Sequence, residues 1–362
     1  MMNKKEKVAI IGTNGLPAKY GGFETLTNYL TINLKDYFEL IVYCSKTPKK
    51  KQLHSFNGAR LIYFPFRANG YQSVIFDIVS IIHAWFTVDK LLVLGSSGAL
   101  IFPFKIFFKK RLVLNIGGID WGRSKWNFWI KKYIQFAEWL CVKFSDVVIT
   151  DNKHIQSLYR QYYHCESVLI EYGGDHTKKL ALNNDCKRRY PFLKDPYILS
   201  VSRAQSDNNI HVLIEAFIQL PDRIIVIISN WQTSEYGKEL LTKYRLKYPN
   251  IHLVDAIYDI NELDQIRSNS WLYIHSHSFC GTAPSLVEAM NLELPIICFN
   301  AETNIETTEN RSIYFKDAEE LIKIIREINE EKLDKLRKSL HEIASRRYKW
   351  NIIAEKYYNC LK

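Results

Sequence analysis

Strand and helix signals alternate along almost the whole of this 362-residue chain, and that alternation limits its possible folds more than any other feature. Short runs rich in Val, Ile and Leu are each followed by a longer amphipathic stretch, the pattern of parallel strands joined by crossover helices and covered on both faces. In the first half it predicts strands near 8–12, 39–44, 60–64, 91–94, 111–115, 146–150 and 167–170, with helices near 23–34, 73–86, 98–108, 126–144 and 153–163. Residues 171–179, EYGGDHTKK, then break the rhythm as a linker. A second series predicts strands near 197–202, 224–229, 251–254, 271–275 and 295–299, with helices near 209–219, 235–247, 260–267, 284–291, 317–327 and 331–345. At this length, with 47% hydrophobic residues, the chain can bury a large core and divides into two domains.

Two loops stand out against this background. Residues 278–290, SFCGTAPSLVEAM, place a polar loop before a helix that opens at Pro284. The N–H groups of Gly281, Thr282 and Ala283 can point at a phosphate or sugar oxygen, the helix N-terminus adds partial positive charge, and Glu288 can accept from hydroxyls. The same residues also suit an ordinary strand-loop-helix connection with Pro at the first helical position. Residues 8–24, VAIIGTNGLPAKYGGFE, read as a buried strand, a glycine-rich loop with Gly12, Gly15, Gly21 and Gly22, and a helix. The spacing fits neither a dinucleotide fingerprint nor a P-loop.

Composition excludes other classes. The seven cysteines are scattered with no C-x-x-C pair, so neither a disulfide framework nor a zinc knuckle is expected, and a reducing cytosol fits best. MMNKKEKVAII turns directly into the first strand signal, so no secretory leader is expected. The most apolar run, residues 91–104, is too short to span a bilayer. The net charge of +11 is concentrated: residues 1–175 hold 23 Lys+Arg against 13 Asp+Glu, and residues 176–362 hold 26 against 25. In FPFKIFFKKR (102–111) and WGRSKWNFWIKK (121–132) the cations are mixed with aromatic rings. That mixture suits an anionic membrane surface, with rings at headgroup depth and cations on phosphates; the opposing reading makes the rings core and the lysines solubilising. No nucleic-acid motif is present, so no nucleic-acid partner is expected.

The second half resembles the retaining glycosyltransferase family 4, through a Pro-x-x-x-Glu-Ala-Met segment matched by Pro284, Glu288, Ala289 and Met290. IGTNGLPAKYGGFET is similar to the DUF1972 type of first domain found in rhamnosyltransferase-like proteins of capsule and polysaccharide assembly, and NIGGIDWGRSKW (115–126) resembles that subfamily's second characteristic segment. The resemblance implies an α/β GT-B fold: two doubly wound Rossmann-like domains facing a central cleft. The expected limits are 1–175 for the acceptor and membrane side, 176–346 for the donor domain, and 347–362 for a helix packing back on the first. It implies a hexosyltransferase at the inner face of the plasma membrane. The sugar, L-rhamnose as a first candidate, would pass from a dTDP-, UDP- or GDP-linked donor to a lipid-diphosphate-linked saccharide. An epimerase of the same shape and a non-catalytic nucleotide-sugar-binding or assembly protein are the alternatives.

Carried over by position, the resemblance assigns Glu288 to the ribose or deoxyribose hydroxyl of the nucleotide, Arg203 to the donor diphosphate, and Gly281, Thr282 and Ala283 to the donor phosphate or sugar. Gly21 and Gly22 would approach the donor from the opposing domain. Arg203 suits its task, its guanidinium being permanently charged and able to bridge two oxygens. Two donor positions depart from the broad family pattern: Cys280 stands where a carboxylate is common, and Asn208 where a lysine is usual. Glycosyl transfer also needs the acceptor oriented. Asp120 is the candidate for that role, or for the base, and Arg123 for an acceptor phosphate; an Asp in a glycine turn also serves as a helix cap. No D-x-D occurs, so no metal cofactor is expected to clamp the diphosphate. His275 and His277 could suggest a metal pair, but sequence spacing offers them no third ligand.

Overall fold

A computed structural model describes residues 4–18, 21–123 and 126–362 of the chain, with only the backbone of residue 120. It divides into two compact units: the chain up to Tyr172 together with Trp350–Lys362, and Gly173–Lys349.

The first unit is built on an eight-stranded sheet of β1 (Lys7–Ile11), β2 (Glu39–Cys44), β3 (Ser55–Phe56), β4 (Ala59–Tyr63), β5 (Lys90–Leu94), β6 (Arg111–Asn115), β7 (Val147–Thr150) and β8 (Val168–Leu169). The order is β3-β4-β2-β1-β5-β6-β7-β8, and every pairing except the short β3–β4 hairpin is parallel. β1 and β5 are apolar runs buried on both faces, as expected of central strands between two helical layers. The chain returns to this unit at its end. In the helix Trp350–Leu361, Trp350 stacks on Tyr29 at 4.6 Å, Lys356 pairs with the buried Glu171 at 2.8 Å, and Arg111 donates to the Cys360 carbonyl at 2.6 Å.

The second unit carries six parallel strands, β9 (Tyr197–Val201), β10 (Ile224–Ser229), β11 (Ile251–Asp255), β12 (Leu272–His275), β13 (Ile296–Phe299) and β14 (Ile313–Phe315), in the order β11-β10-β9-β12-β13-β14. Its core joins Ile198, Ile227 and Ile274 on the sheet to Leu213, Phe217, Leu321 and Ile325 on covering helices. Asn183, Ser234, Asp259, Asp317 and Asn329 each cap a helix by accepting from a backbone N–H.

In each unit the strand order reverses once, between β1 and β5 in the first and between β9 and β12 in the second. Neighbouring loops there leave the carboxyl ends of their strands in opposite directions and open a crevice, the general ligand position of doubly wound sheets. The glycine-rich loop lies at the first of these points. Gly12 is at φ +94°, and a Cβ there would fall 2.0 Å from the Leu94 carbonyl oxygen of the neighbouring strand. Backbone strain of about 1–3 kcal/mol would add to an overpacking cost of similar size. Gly12→Ala is therefore expected to lower stability by about 2–6 kcal/mol in urea unfolding, and wild-type behaviour would contradict the close approach of β1 and β5.

Some elements differ from the sequence expectation. The helix expected near 98–108 is a 3-10 segment, Ala99–Phe107, because Pro103 supplies no N–H and its ring obstructs α-helical continuation. The short strands β3 and β14 and the helices Asn184–Arg189 and Glu302–Thr307 are additional to it. Residues 171–179 are no slack linker: Tyr172 is buried in the first unit, and Gly174, Thr177 and Lys178 are hydrogen-bonded within the second.

Candidate functional site

The loops that leave β9 and β12 are joined by hydrogen bonds. The Ser276 hydroxyl donates to the Asn208 carbonyl at 2.6 Å, the Asn209 amide to the Ser276 carbonyl at 3.0 Å, and both the N–H and the hydroxyl of Ser278 to the Asp207 carbonyl at 2.9 Å. The β9 loop closes on itself through Asn208, whose side-chain amide donates to the Arg203 carbonyl at 2.7 Å. Asn208 is 4% exposed, so it shapes the loop that presents Arg203. Arg203 is exposed, and its guanidinium has no partner among the described residues.

The β12 loop continues through Gly281, Thr282 and Ala283, all buried, into the helix Pro284–Asn291. Among the described residues the backbone N–H groups of Gly281 and Ala283 meet no acceptor. Buried backbone donors are almost always paired. Both donors lie in one loop at a helix N-terminus, where N–H groups and partial positive charge favour an anionic acceptor.

Glu288, one turn into that helix, is buried and held by residues that the sequence reading did not select. Its carboxylate meets the Arg267 guanidinium at 2.5 Å and His176 Nε2 at 3.2 Å. Arg267 comes from the helix Ile260–Ser268 and also lies 3.8 Å from Asp264, which accepts from the Lys178 N–H at 2.9 Å. His176 arrives on the segment first read as a linker. Gly174 lets that segment approach closely, since a Cβ there would lie 2.5 Å from the Val287 carbonyl oxygen. The Gly173–Gly174 pair was the one sequence signal available for this contact. Burial alone would raise the Glu288 carboxyl, but Arg267 and His176 together bring its pKa down to about 2. Burial raises Asp264, against the pull of the Lys178 N–H and Arg267. Glu288 is thus a fixed carboxylate whose oxygens each keep a further lone pair.

His275, His277 and Cys280 surround the start of the same loop. The imidazole rings lie 4.2 Å apart, and the three groups have ligand atoms within 4.8 Å of one another. Sequence spacing gave the histidines no third ligand; the turn after β12 brings Cys280 back to them. Burial holds the His275 pKa down to about 3, so its imidazole is neutral.

In the first unit, Gly21 (φ +130°) and Gly22 open the helix Gly22–Leu34 at the strand-order reversal. Glu24 of that helix accepts from the N–H and the side-chain amide of Asn14, at 2.9 and 2.7 Å, and so fixes the glycine-rich loop. Arg123 is half-buried on the loop after β6, and the side chain of Asp120 lies outside the described residues. Phe104, Ile106 and Phe107 on the 3-10 segment are exposed, as are Phe128, Trp129, Phe136 and Trp139 on the helix Phe128–Phe144 that packs against it. These rings are surface, and Lys143 lies 4.7 Å over Trp139. Among the described residues no helix is long and apolar enough to cross a membrane.

Comparison with known proteins agrees with this division. Residues 5–175 match the family described as Domain of unknown function (DUF1972), and residues 185–347 match Glycosyl transferases group 1. No curated protein is significantly similar in sequence. Among solved structures, sucrose-phosphate synthase from Thermosynechococcus elongatus is similar at a TM-score of 0.81 and 16% identity, over 98% of each chain. Anabaena Alr3699/HepE, solved in complex with UDP-glucose, is similar at 0.78 and 17%, over 98% of this chain and 99% of the other. A glycosyltransferase from Rickettsia africae is similar at 0.71 and 16%, over 99% and 98%. At such identities the likeness is one of fold. The chain joins a DUF1972 domain to a glycosyl transferases group 1 domain, and its two Rossmann-like units have the fold of GT-B glycosyltransferases.

Proposed function

We propose that this protein is a retaining glycosyltransferase that takes a hexosyl group from a nucleoside-diphosphate sugar and delivers it to a lipid-diphosphate-linked saccharide at an anionic membrane surface, in surface polysaccharide synthesis. L-Rhamnose is the first candidate for the sugar. The observation that carries the donor assignment is the pair of unpaired buried amides, Gly281 and Ala283, at a helix N-terminus, with Arg203 unpartnered on the adjoining loop. As the glycosidic bond breaks, negative charge grows on the leaving diphosphate. Fixed N–H donors, the helix N-terminus and a guanidinium stabilise that charge without reorganising. Glu288 offers its remaining lone pairs to a donor hydroxyl, with Arg267 and His176 fixing its orientation. The nucleotide sugar in the HepE structure supports this ligand class. Gly21 and Gly22 are assigned to close approach of the donor, Asp120 to the acceptor hydroxyl, and Arg123 to an acceptor phosphate. No Mg²⁺ or Mn²⁺ is assigned to the diphosphate.

The test is a transfer assay with UDP-, GDP- and dTDP-sugars, with and without a polyprenyl-diphosphate saccharide, in buffer without added divalent cation. Sugar transfer that depends on acceptor supports the reading. Donor turnover without acceptor identifies an epimerase, and binding without turnover a non-catalytic protein; either rejects transfer. The non-catalytic outcome draws support from Cys280 and Asn208, since Asn208 is turned inward onto the Arg203 carbonyl.

Membrane docking is assigned to the face of exposed rings around the 3-10 segment and the helix Phe128–Phe144, interleaved with Lys105, Lys109, Lys132 and Lys143. Pelleting with phosphatidylglycerol vesicles should fall as salt rises from about 0.1 to 1 M, where the Debye length shrinks from about 10 to 3 Å. Trp129→Ala should weaken it further at any salt. Pelleting indifferent to both changes would reject the assignment.

A further inference from the structure

We infer that His275, His277 and Cys280 form a binding site for a thiophilic divalent cation, Zn²⁺ by preference, at the carboxyl end of β12. The site borders the donor loop through Cys280 but rests on observations that do not depend on the donor assignment.

The strand accounts for the two imidazoles. Residues two apart on a strand share a face, so His275 at the end of β12 and His277 just beyond it bring their rings to 4.2 Å. The chain then turns, and the Cys280 sulfur reaches the same point, all three ligand atoms lying within 4.8 Å of one another.

A second observation is independent of this clustering. His275 is 1% exposed, and neither of its ring nitrogens has a hydrogen-bond partner among the described residues. A neutral imidazole carries one donor and one acceptor, and buried polar side chains are rarely left with neither satisfied. An ion bonded to one nitrogen removes that anomaly. The surrounding backbone is already fixed: Asn304 donates to the His277 carbonyl at 2.8 Å, and Ser276 and Ser278 are bound to the β9 loop. Closure from 4.8 Å to the ligand spacing of about 3.3–3.8 Å that bonds of 2.0–2.3 Å require therefore needs side-chain rotation and no refolding.

Two imidazoles and a thiolate are a borderline-to-soft set, suited to Zn²⁺ and its spectroscopic surrogate Co²⁺ and unsuited to Mg²⁺ or Ca²⁺. Binding forms a metal–sulfur bond and releases the Cys280 thiol proton to solvent. Three protein ligands leave the fourth tetrahedral position to water. An ion so placed ties the end of β12 to the residue that precedes Gly281, and it shields the Cys280 sulfur from alkylation.

The experiment titrates full-length protein with Zn²⁺ against a chromogenic chelator, and separately with Co²⁺ by absorption. The expected result is one ion per chain, with a thiolate-to-cobalt charge-transfer band and tetrahedral d–d bands. Zn²⁺ should also slow iodoacetamide labelling of Cys280. Cys280→Ser should remove the charge-transfer band and weaken Zn²⁺ binding by at least about tenfold. His277→Ala should weaken it comparably, with folding of both variants checked by circular dichroism. Cys165→Ser, in the first unit, should leave binding unchanged. Failure of the wild-type protein to bind Zn²⁺, or equal binding by folded Cys280→Ser, would overturn the site.

Discussion

Glu288→Ala is expected to destabilise the second unit by about 3–5 kcal/mol, the usual consequence of removing one partner of a buried ion pair. Arg267 is 5% exposed, loses the carboxylate at 2.5 Å, and among the described residues keeps Asp264 at 3.8 Å. Glu288→Gln preserves shape and hydrogen-bonding capacity and should cost less. The sign of the pH dependence follows from the depressed pKa. The Glu288 carboxyl titrates near 2 when folded, against 4.5 ordinarily. Its contribution is therefore fully present above about pH 4.5 and is lost as pH falls towards 2. At about 1.4 kcal/mol per unit the whole contribution is on the order of 3 kcal/mol. Urea unfolding of wild type and Glu288→Gln at pH 7 and pH 3 should show the gap between them narrowing at the lower pH. An equal gap at both, or an alanine variant within 1 kcal/mol of wild type, would mean that the pair does not hold this helix. For function, the consequence is that weak donor binding by Glu288→Ala says little by itself, because the variant also strands a buried cation.

Arg203→Ala should do the reverse. The side chain is exposed and has no partner among the described residues, so stability should stay within about 0.5 kcal/mol of wild type. Loss of a fixed charge aimed at the leaving group typically lowers kcat by about 10²–10³, and that is the loss expected in the transfer assay. Arg203→Lys should recover only part of it, since an ammonium cannot bridge two oxygens as a guanidinium does. Steady-state kinetics beside thermal unfolding checks both halves. Undiminished transfer by Arg203→Ala would remove this residue from the donor site.

The fold was legible where local chemistry decides it. β1, β5, β9 and β12 are mainly apolar because helices cover both sheet faces, and the glycine-rich loop announces itself by residue type. β14, three residues long, carries too little pattern to read. The helix expected near 98–108 is present as the 3-10 segment Ala99–Phe107, a helix type that the sequence pattern does not distinguish. Gly281, Ala283 and Glu288 stood out in the strand-loop-helix reading and Arg203 came from the resemblance, whereas the adjacency of β9 and β12 at a strand-order reversal is visible only in the sheet order. The partners of Glu288 did not: His176 and Arg267 lie on separate segments, and nothing periodic joins them to the helix. Cys280 was in view as a departure at the donor loop, but only the turn after β12 shows that its sulfur meets the two histidines. The helix Phe128–Phe144 is apolar on several sides, so periodicity left its rings as either core or surface, and only the packing resolved them.

The most direct test of the donor site is equilibrium binding of a panel of nucleotide sugars and free nucleoside diphosphates to the wild-type protein and to Arg203→Ala, followed by thermal shift. A ligand present at 100 times its Kd adds about 2.7 kcal/mol of apparent stability. The account predicts that at least one nucleoside-diphosphate sugar stabilises the wild type on this scale and that the stabilisation is largely lost in Arg203→Ala. No stabilisation by any member of the panel, or the same stabilisation in both proteins, would contradict it.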